Sequence, residues 1–366
     1  MTFKSLLSAS TLACVSFSLT LHAYAPAFAH EGDGGNVTYA SDHAPIGVMA
    51  DHRHKKGEWM LSYRYSYMDM DGNRDGTMSL DPETIATTVA NPFGTPATLR
   101  VVPTNMQMNM QMAGVMYGIT DRITLMGMGM YMSNEMDHVT FSGGAGDTRL
   151  GEFTTNSSGF GDTTLGAIIG LDDGTNAHRQ LNLGLAVSVP TGSNTETDTV
   201  LTPMNTMPEL RLPYPMQLGS GTWDAKPSLT GRTRFGRWSV GGQASAVIRL
   251  DTNKEGYQLG DKAEGTAWLA YEPKPSVSIS GRVRAQTQGQ IDGTDALIAA
   301  PVQTADPDNQ GGDIVEALIG VNVAASGGAL KGARFAAEIG LPLYRDLNGP
   351  QLETDMTLTL GVQKAF

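Results

Sequence analysis

From Glu58 onwards the chain alternates between apolar and polar positions. Trp59, Leu61, Tyr63, Tyr65 and Tyr67 share one parity, while Glu58, Ser62, Arg64 and Ser66 take the other. Leu181 to Val189 repeats the pattern, as do Val277, Ile279, Gly281, Val283 and Ala285 against Ser276, Ser278, Ser280, Arg282 and Arg284. The last run sets Leu352, Met356, Leu358, Leu360, Val362 and Phe366 against Glu353, Asp355, Thr357, Thr359 and Gln363. An apolar face with aromatic ends opposite a polar face fits membrane-spanning β-strands, and it also fits half-buried strands of a sandwich. The connections separate the two. Strands are expected over 58–68, 105–117, 123–132, 160–171, 179–190, 222–235, 237–250, 262–272, 276–288, 313–324, 333–344 and 352–366. Long connections (69–104, 133–159, 191–221, 251–261, 289–312, 345–351) alternate with short ones near 118–122, 172–178, 236, 273–275 and 325–332. A sandwich has no reason to sort its loops by length. The pattern therefore predicts an all-β, antiparallel transmembrane β-barrel of about 12 strands, with long outer loops and short periplasmic turns.

The first residues agree with export. Lys4, the apolar stretch Leu6 to Leu21 and Ala27-Phe28-Ala29 read as a signal peptide over 1–29, cleaved after Ala29. Residues 30–57 are then expected as a periplasmic, His-containing segment and 58–366 as the barrel, which places the chain in the outer membrane of a Gram-negative cell. The one Cys, Cys14, falls inside the signal, so the mature chain would carry no disulfide. After the signal, no window approaches the ~18 uninterrupted apolar residues of a membrane helix.

Composition supports this reading. Of 366 residues only 17% are charged and 44 are Gly, where soluble domains carry about 25% charged residues and about 7% Gly. Lipid-facing strand positions account for the first departure, turns and tightly curved wall for the second. The net charge of −12 argues against nucleic acid as a partner.

Three short segments carry a resemblance: Gly159-Phe160-Gly161-Asp162-Thr163-Thr164-Leu165-Gly166, Val187-Ser188-Val189-Pro190-Thr191-Gly192 and Gly219-Ser220-Gly221-Thr222-Trp223-Asp224. They resemble the outer-membrane family known as "MetA-pathway of phenol degradation". The resemblance covers about 58–366. It implies a barrel of the twelve-stranded type and a passive transporter of small solutes, and it transfers no catalytic or binding residue. The terminal Phe366 is similar to the aromatic residue by which outer-membrane barrels are read by the barrel-assembly machinery, although Lys364 departs from that pattern.

Fifteen of the 20 Met lie between Met49 and Met136. Met106, Met108, Met110 and Met112 form one row; their alternates Gln107, Asn109 and Gln111 belong in a wet lumen, so the Met row is expected to face lipid. For Met126, Met128, Met130 and Met132 the face depends on the turn near Thr120-Asp121. An even turn puts this second row in the lumen, whereas an odd turn puts both rows on lipid. Thioethers also suit Cu(I), so this row is a metal candidate. His30, His43, Met49, His52 and His54 could bind copper or zinc, against the plainer alternative of a solvated tail. Asp71-x-Asn73-x-Asp75-Gly76 matches the opening of a calcium loop, but Pro82 replaces the acidic twelfth residue and a polar turn is preferred.

Strand parity points Arg64, Lys226, Arg232, Arg234, Arg249, Arg282 and Arg284 inward, with Asp224, Glu264, Glu316, Glu338, Glu353 and Asp355. Of these, Arg64, Arg232, Arg234, Glu264, Arg282, Arg284, Glu316 and Glu338 are the pore-lining candidates. Mixed signs suggest ion pairs that brace the wall. Twelve strands lie between the filled eight-stranded barrel and the open porin, so a narrow or plugged channel is expected. His138 and His178 stand beside no nucleophile signature, and an enzyme is not expected. The sequence therefore predicts an outer-membrane channel for passive passage of small solutes, with lipid and solute as partners. No cofactor is required; copper and calcium are the two candidates. The alternative is a copper-handling outer-membrane protein using the His segment and the Met strands.

Overall fold

Each period-two run becomes a stave of one antiparallel wall. The computed structural model describes residues 39–172 and 178–366. In chain order the elements begin with β1 (Trp59–Gly76), β2 (Met78–Leu80), helix α1 (Pro82–Thr88), β3 (Val101–Thr120), β4 (Ile123–Phe141), β5 (Arg149–Phe160), β6 (Thr163–Gly170) and β7 (Arg179–Val189). There follow β8 (Thr197–Thr199), β9 (Glu209–Arg211), β10 (Asp224–Phe235), β11 (Trp238–Arg249), β12 (Tyr257–Gln258), β13 (Lys262–Lys274), β14 (Val277–Gln288), β15 (Asp292–Gly293), β16 (Gly312–Ala324) and β17 (Ala333–Ala365).

Eleven of these form a ring in the order β17, β16, β14, β13, β11, β10, β7, β6, β4, β3, β1, and β17 closes it by pairing with β1. Closure leaves no unpaired edge facing hydrocarbon, where an unsatisfied amide costs several kcal/mol. β17 is long because it supplies two staves: Arg334–Leu347 pairs with β16, and Leu347–Ala365 pairs with β1. The fold-back falls at Asn348-Gly349, where Gly349 has φ +70. Counted this way the wall is about twelve strands round, as expected. β5 lies off the ring and extends the β4 edge above β6.

The outward face is apolar. Leu61, Leu125, Leu185, Leu229, Val240, Leu269, Ile279, Ile319, Ile339 and Leu360 are all exposed along it. Trp59 stacks on Tyr117, and Trp238 on Tyr271, near the short-turn end. Tyr131 meets Phe160 edge-on near the other end. An apolar band between aromatic girdles is what a bilayer selects, and the barrel belongs in the outer membrane. Turn chemistry closes the periplasmic end; Phe235 pairs with Trp238 across Gly236-Arg237, with Gly236 at φ +59, the two-residue hairpin that needs Gly first.

Two expectations are corrected here. The strands run well past the membrane: β1 reaches Gly76, β3 begins at Val101, β4 reaches Phe141 and β5 occupies 149–160, regions expected as loop. In particular Asp71–Gly76 is extended strand, and the Asn73 side chain donates to Pro103 O and accepts from Gln303, so no wrapped calcium-type loop or polar turn forms there.

The second correction concerns methionine. Thr120 pairs with Ile123 across an even, two-residue turn, but a bulge between Gly118 and Thr120 adds one residue. Above it Met106 faces Met136, Met110 faces Met132, Met112 faces Met130 and Met116 faces Met126. Both rows therefore share a face, and that face is the lumen, because Met106 and Met136 are fully buried against Leu212 and Met216 of the 191–221 connection. Gln111 and Asn109 point outward instead, accepting from the Tyr63 and Tyr65 hydroxyls at the outer girdle. Tyrosine hydroxyls satisfy these polar alternates there, so they do not mark a wet lumen.

Candidate functional site

The periplasmic half of the lumen is filled by the chain itself. Residues 39–57 are held inside the barrel rather than hanging as a solvated tail: Ala40, Ala44, Ile46, Val48, Asp51, His52 and His54 are buried. The segment rises past Pro275 and returns to Gly118, so it is a loop inserted from the short-turn end. Glu272 accepts from Ser41 N and from Arg234, Arg232 donates to Ser41 O, and Arg334 donates to Ala44 O, Gln363 and Asn322. At the apex Gly47 N donates to Glu338 and Gln243 donates to Met49 O. Arg64 touches the Met49 sulfur. On the descending arm Asn182 donates to Asp51 O, Arg53 pairs with Asp172 and His54 N donates to Thr124. The wall's inward charges are thus receptors for the plug. Leaving any one unpaired in a buried setting costs about 3–5 kcal/mol.

All eight expected pore-lining residues lie on the inward parity of their strands, and most are spent in ion pairs. Arg282 makes a two-pronged pair with Glu338, with Nε at 2.9 Å and Nη2 at 2.7 Å. Arg284 pairs with Glu316 and Arg249 with Asp224. Asp355 is different; it sits at a bulge and is exposed, bonded to Arg345.

Above the plug the lumen opens into two chambers. The middle one, about 280 Å³, lies between Met49, Met126 and Met128 on one side and Lys226, Lys262, Glu264 and Arg284 on the other. The outer one, about 330 Å³, is lined by Met70, Met106, Met108, Met136, Ile314 and Leu352, with Gln286, Gln288, Gln310 and Gln351 among the polar groups. The outer loops cover it. Val101, Tyr214, Tyr257, Ile291, Ile298 and Val302 pack together over the mouth. Arg100, fully buried, donates to Ala86 O, Ser142 O, Gly143 O and Gly146 O and ties the loops down.

The three glycine-rich segments singled out in the sequence converge at one point of the wall. Where β5 breaks from β6, the Asp162 carboxylate accepts from Gly192 N, Ser220 N and the Ser220 hydroxyl, each at 2.9 Å. Gly192 and Gly219 cross so closely that a Cβ on Gly219 would lie 2.6 Å from Gly192 O. The motifs are a buckle that fastens the 191–221 connection to the wall. Asp162→Ala is expected to lower the barrel's stability by about 3 kcal/mol or more, since charge-assisted hydrogen bonds contribute about 1.5–3 kcal/mol each; the midpoint of heat-modifiable gel migration measures it.

The family model described as "Putative MetA-pathway of phenol degradation" matches residues 90–307, which spans the buckle. The chain belongs to that family. Among solved structures it is similar to the COG4313 outer membrane channel of Pseudomonas putida F1, at 16% identity and TM-score 0.55, covering 86% of this chain and 97% of that one. Weaker likenesses include the Pseudomonas putida toluene transporter TodX, at 9% identity, TM-score 0.42 and coverage of 90% and 95%. The Ralstonia pickettii toluene transporter TbuX follows at 10% identity, TM-score 0.43 and coverage of 86% and 90%. No curated protein sequence matches the chain.

For this MetA-pathway family member, the structure brings His43, His52 and His54 together in the plug, beside Met49 and Asp51. His30 lies outside the described residues. Met126, Met128, Met130 and Met132 line the lumen, with Met126 and Met128 above the plug apex. His52 donates from Nδ1 to Asp51 Oδ1 at 2.7 Å. Burial pushes the His52 ring below its ordinary 6.5, with His54 and Arg334 adding to this against Asp51, which raises it. The Asp51 carboxyl, raised by burial alone, is nevertheless held well below the usual range by His52, His43 and Arg334. The sequence did carry a trace of the plug, the apolar Ala44-Pro45-Ile46-Gly47-Val48 within a polar segment, but its partners come from distant strands. Asp162 and Arg100 gave no signal beyond their motif or loop.

The pH dependence follows. A released plug takes up a proton on His52 near 6.5, whereas the docked one resists it, so docking is strongest above that value. Docking weakens as pH falls, by at most about tenfold per pH unit for this one group. Single-channel openings are expected to be more frequent at low pH than at neutral pH in planar bilayers.

Proposed function

We propose that this protein is an outer-membrane channel through which small apolar solutes, about the size of a single-ring aromatic, pass without an energy source. The outer chamber carries the reading. Its Met and Leu side chains shed water readily and adapt to irregular shapes, and its glutamines can orient a solute bearing a hydroxyl. An apolar cavity of about 150 Å³ already takes up benzene, so about 330 Å³ accommodates a substituted ring. The toluene transporters among the structural likenesses support this substrate class as analogy.

Solute captured there reaches the middle chamber and then the plug, which sets when the path is open. The Arg and Glu residues of the wall serve as plug receptors and braces, and among the described residues the middle chamber mixes both signs of charge. The copper-handling alternative has no support in the family or the likenesses, and apolar lining accounts for the Met rows. The wall ends where Phe366 and Trp59 exchange backbone hydrogen bonds, and we infer that this terminus is what the barrel-assembly machinery reads.

Equilibrium binding of phenol and toluene to detergent-solubilised protein, with uptake into proteoliposomes, tests the reading. Saturable binding and accelerated uptake are expected; passage of glucose-sized polar solutes at the same rate would overturn it.

A further inference from the structure

The histidines of the plug have no part in that path, yet they are gathered rather than scattered. His43 lies on the ascending arm, Asp51 and His52 on the descending arm. One ligand atom from each of the three lies within 4.8 Å of the others. The His43 and His52 rings meet edge-on at 4.3 Å, and His54 follows at 5.0 Å from His52. Asp51 Oδ1 fixes the His52 Nδ1–H, leaving the Nε2 lone pair directed into a dry interior where nothing bonds it. That arrangement, a carboxylate orienting a neutral imidazole, is how proteins prepare a histidine for a metal ion. Asp51 Oδ2 meanwhile accepts from Ala44 N and so ties the two arms together at the same spot.

We propose that the plug holds one divalent zinc-class ion through His43 and His52 Nε2, with Asp51 orienting the His52 ring from its other edge and His54 and water completing a four-coordinate site. Imidazole nitrogens suit zinc, and three protein ligands with a fourth exchangeable position are an established pattern for it. The ion would staple the ascending arm to the descending one across the apex, so that the loop is presented to the barrel already folded. Its effect is conditional on docking, because the ligands meet only in the inserted plug; binding the docked form alone stabilises that form. The site is a clamp, and zinc is no cargo here. Arg64 and Arg334 face the same pocket and place positive charge near it, which keeps the ion removable by a chelator.

The test uses the full-length folded barrel, stripped with EDTA, and zinc chloride alone as the probe. Calorimetry and elemental analysis are expected to give one zinc per chain. His43→Ala and His52→Ala should each weaken binding by at least about tenfold, while His178→Ala leaves it unchanged. Cobalt(II) reads the site independently: a four-coordinate ion gives an intense visible band, which His52→Ala should abolish. His52→Gln, closer in size and polarity, guards against a plug that has merely fallen out, and gel migration before and after heating reports the fold. Zinc uptake unaffected by both His43→Ala and His52→Ala, uptake lost in His178→Ala, or no uptake by the stripped barrel would each overturn the proposal.

Discussion

Joining Thr38 directly to Lys56, and so deleting residues 39–55, is expected to raise single-channel conductance by about tenfold or more, because a twelve-stranded wall freed of its filling leaves a continuous narrow pore. The reason is the location of the segment's contacts. Its backbone carbonyls at Ser41, Ala44, Met49 and Asp51 are the acceptors for Arg232, Arg334, Gln243 and Asn182, and its amides at Ser41 and Gly47 bond Glu272 and Glu338. The plug is therefore recognised mainly through its backbone. Side-chain substitutions within it should open the channel less than deletion does. On the wall side, Arg334→Ala removes contacts to Ala44, Asn322 and Gln363 at once and should show intermediate conductance with flickering. The measurement is current through purified protein in planar bilayers, with gel migration confirming a folded barrel. A deletion variant as silent as the parent would show that the loops over the outer mouth, not the plug, close the pore.

This division of labour explains why the lumen combines two chemistries that usually exclude one another. The lower half is a network of buried charges, tolerable because each finds a partner in the wall or the plug. The upper half is thioether and aliphatic carbon. Charges brace the wall where the barrel must resist closing on itself and must hold an inserted segment. Apolar side chains line the part that meets the outside, and loops 191–221 and 289–311 pack down over it.

The ring itself was legible, since alternation at Leu61–Tyr67, Leu181–Val189 or Val277–Ala285 demands a sheet with two unlike faces, and the sorting of loop lengths tells a barrel from a sandwich. Loop lengths set the direction of the chain. The extensions beyond the membrane were not legible, because above the girdle both faces of β1, β3 and β4 meet polar surroundings or packed loops, and alternation stops distinguishing them. The Met rows failed for a related reason. Gln107, Asn109 and Gln111 suggested a wet lumen on their side, but Asn109 and Gln111 face outward, where the Tyr63 and Tyr65 hydroxyls satisfy them. A single bulge residue at Ile119 then decided the register of the second row. The plug was hidden because extended backbone bonded to a dozen distant residues leaves no period in its own sequence. His43 and His52 are nine positions apart, and only the hairpin path of the loop makes them neighbours.

Met108→Glu is expected to weaken binding of toluene or phenol at least about tenfold and to slow their uptake in proportion, since an ionised carboxylate in an apolar chamber must draw in water that the solute would otherwise displace. Met108 is the informative position. Met106 and Met136 are fully buried and cement the contact with Leu212 and Met216, so charging them would disturb the fold. Met108 is only partly buried on the edge of that cluster and lines the chamber directly. Met108→Leu, which preserves volume and apolarity, should cost less than about 1.5 kcal/mol in stability and leave binding near that of the parent. Ion conductance after plug deletion provides the internal control: the glutamate variant should conduct small cations at least as well as the parent, because water entering the chamber favours ions while it disfavours aromatic solutes. Equal loss of both would mean that the substitution has collapsed the outer loops. Equal retention of both would mean that solute bypasses the methionine chamber, and the route would have to be sought along the charged wall below it.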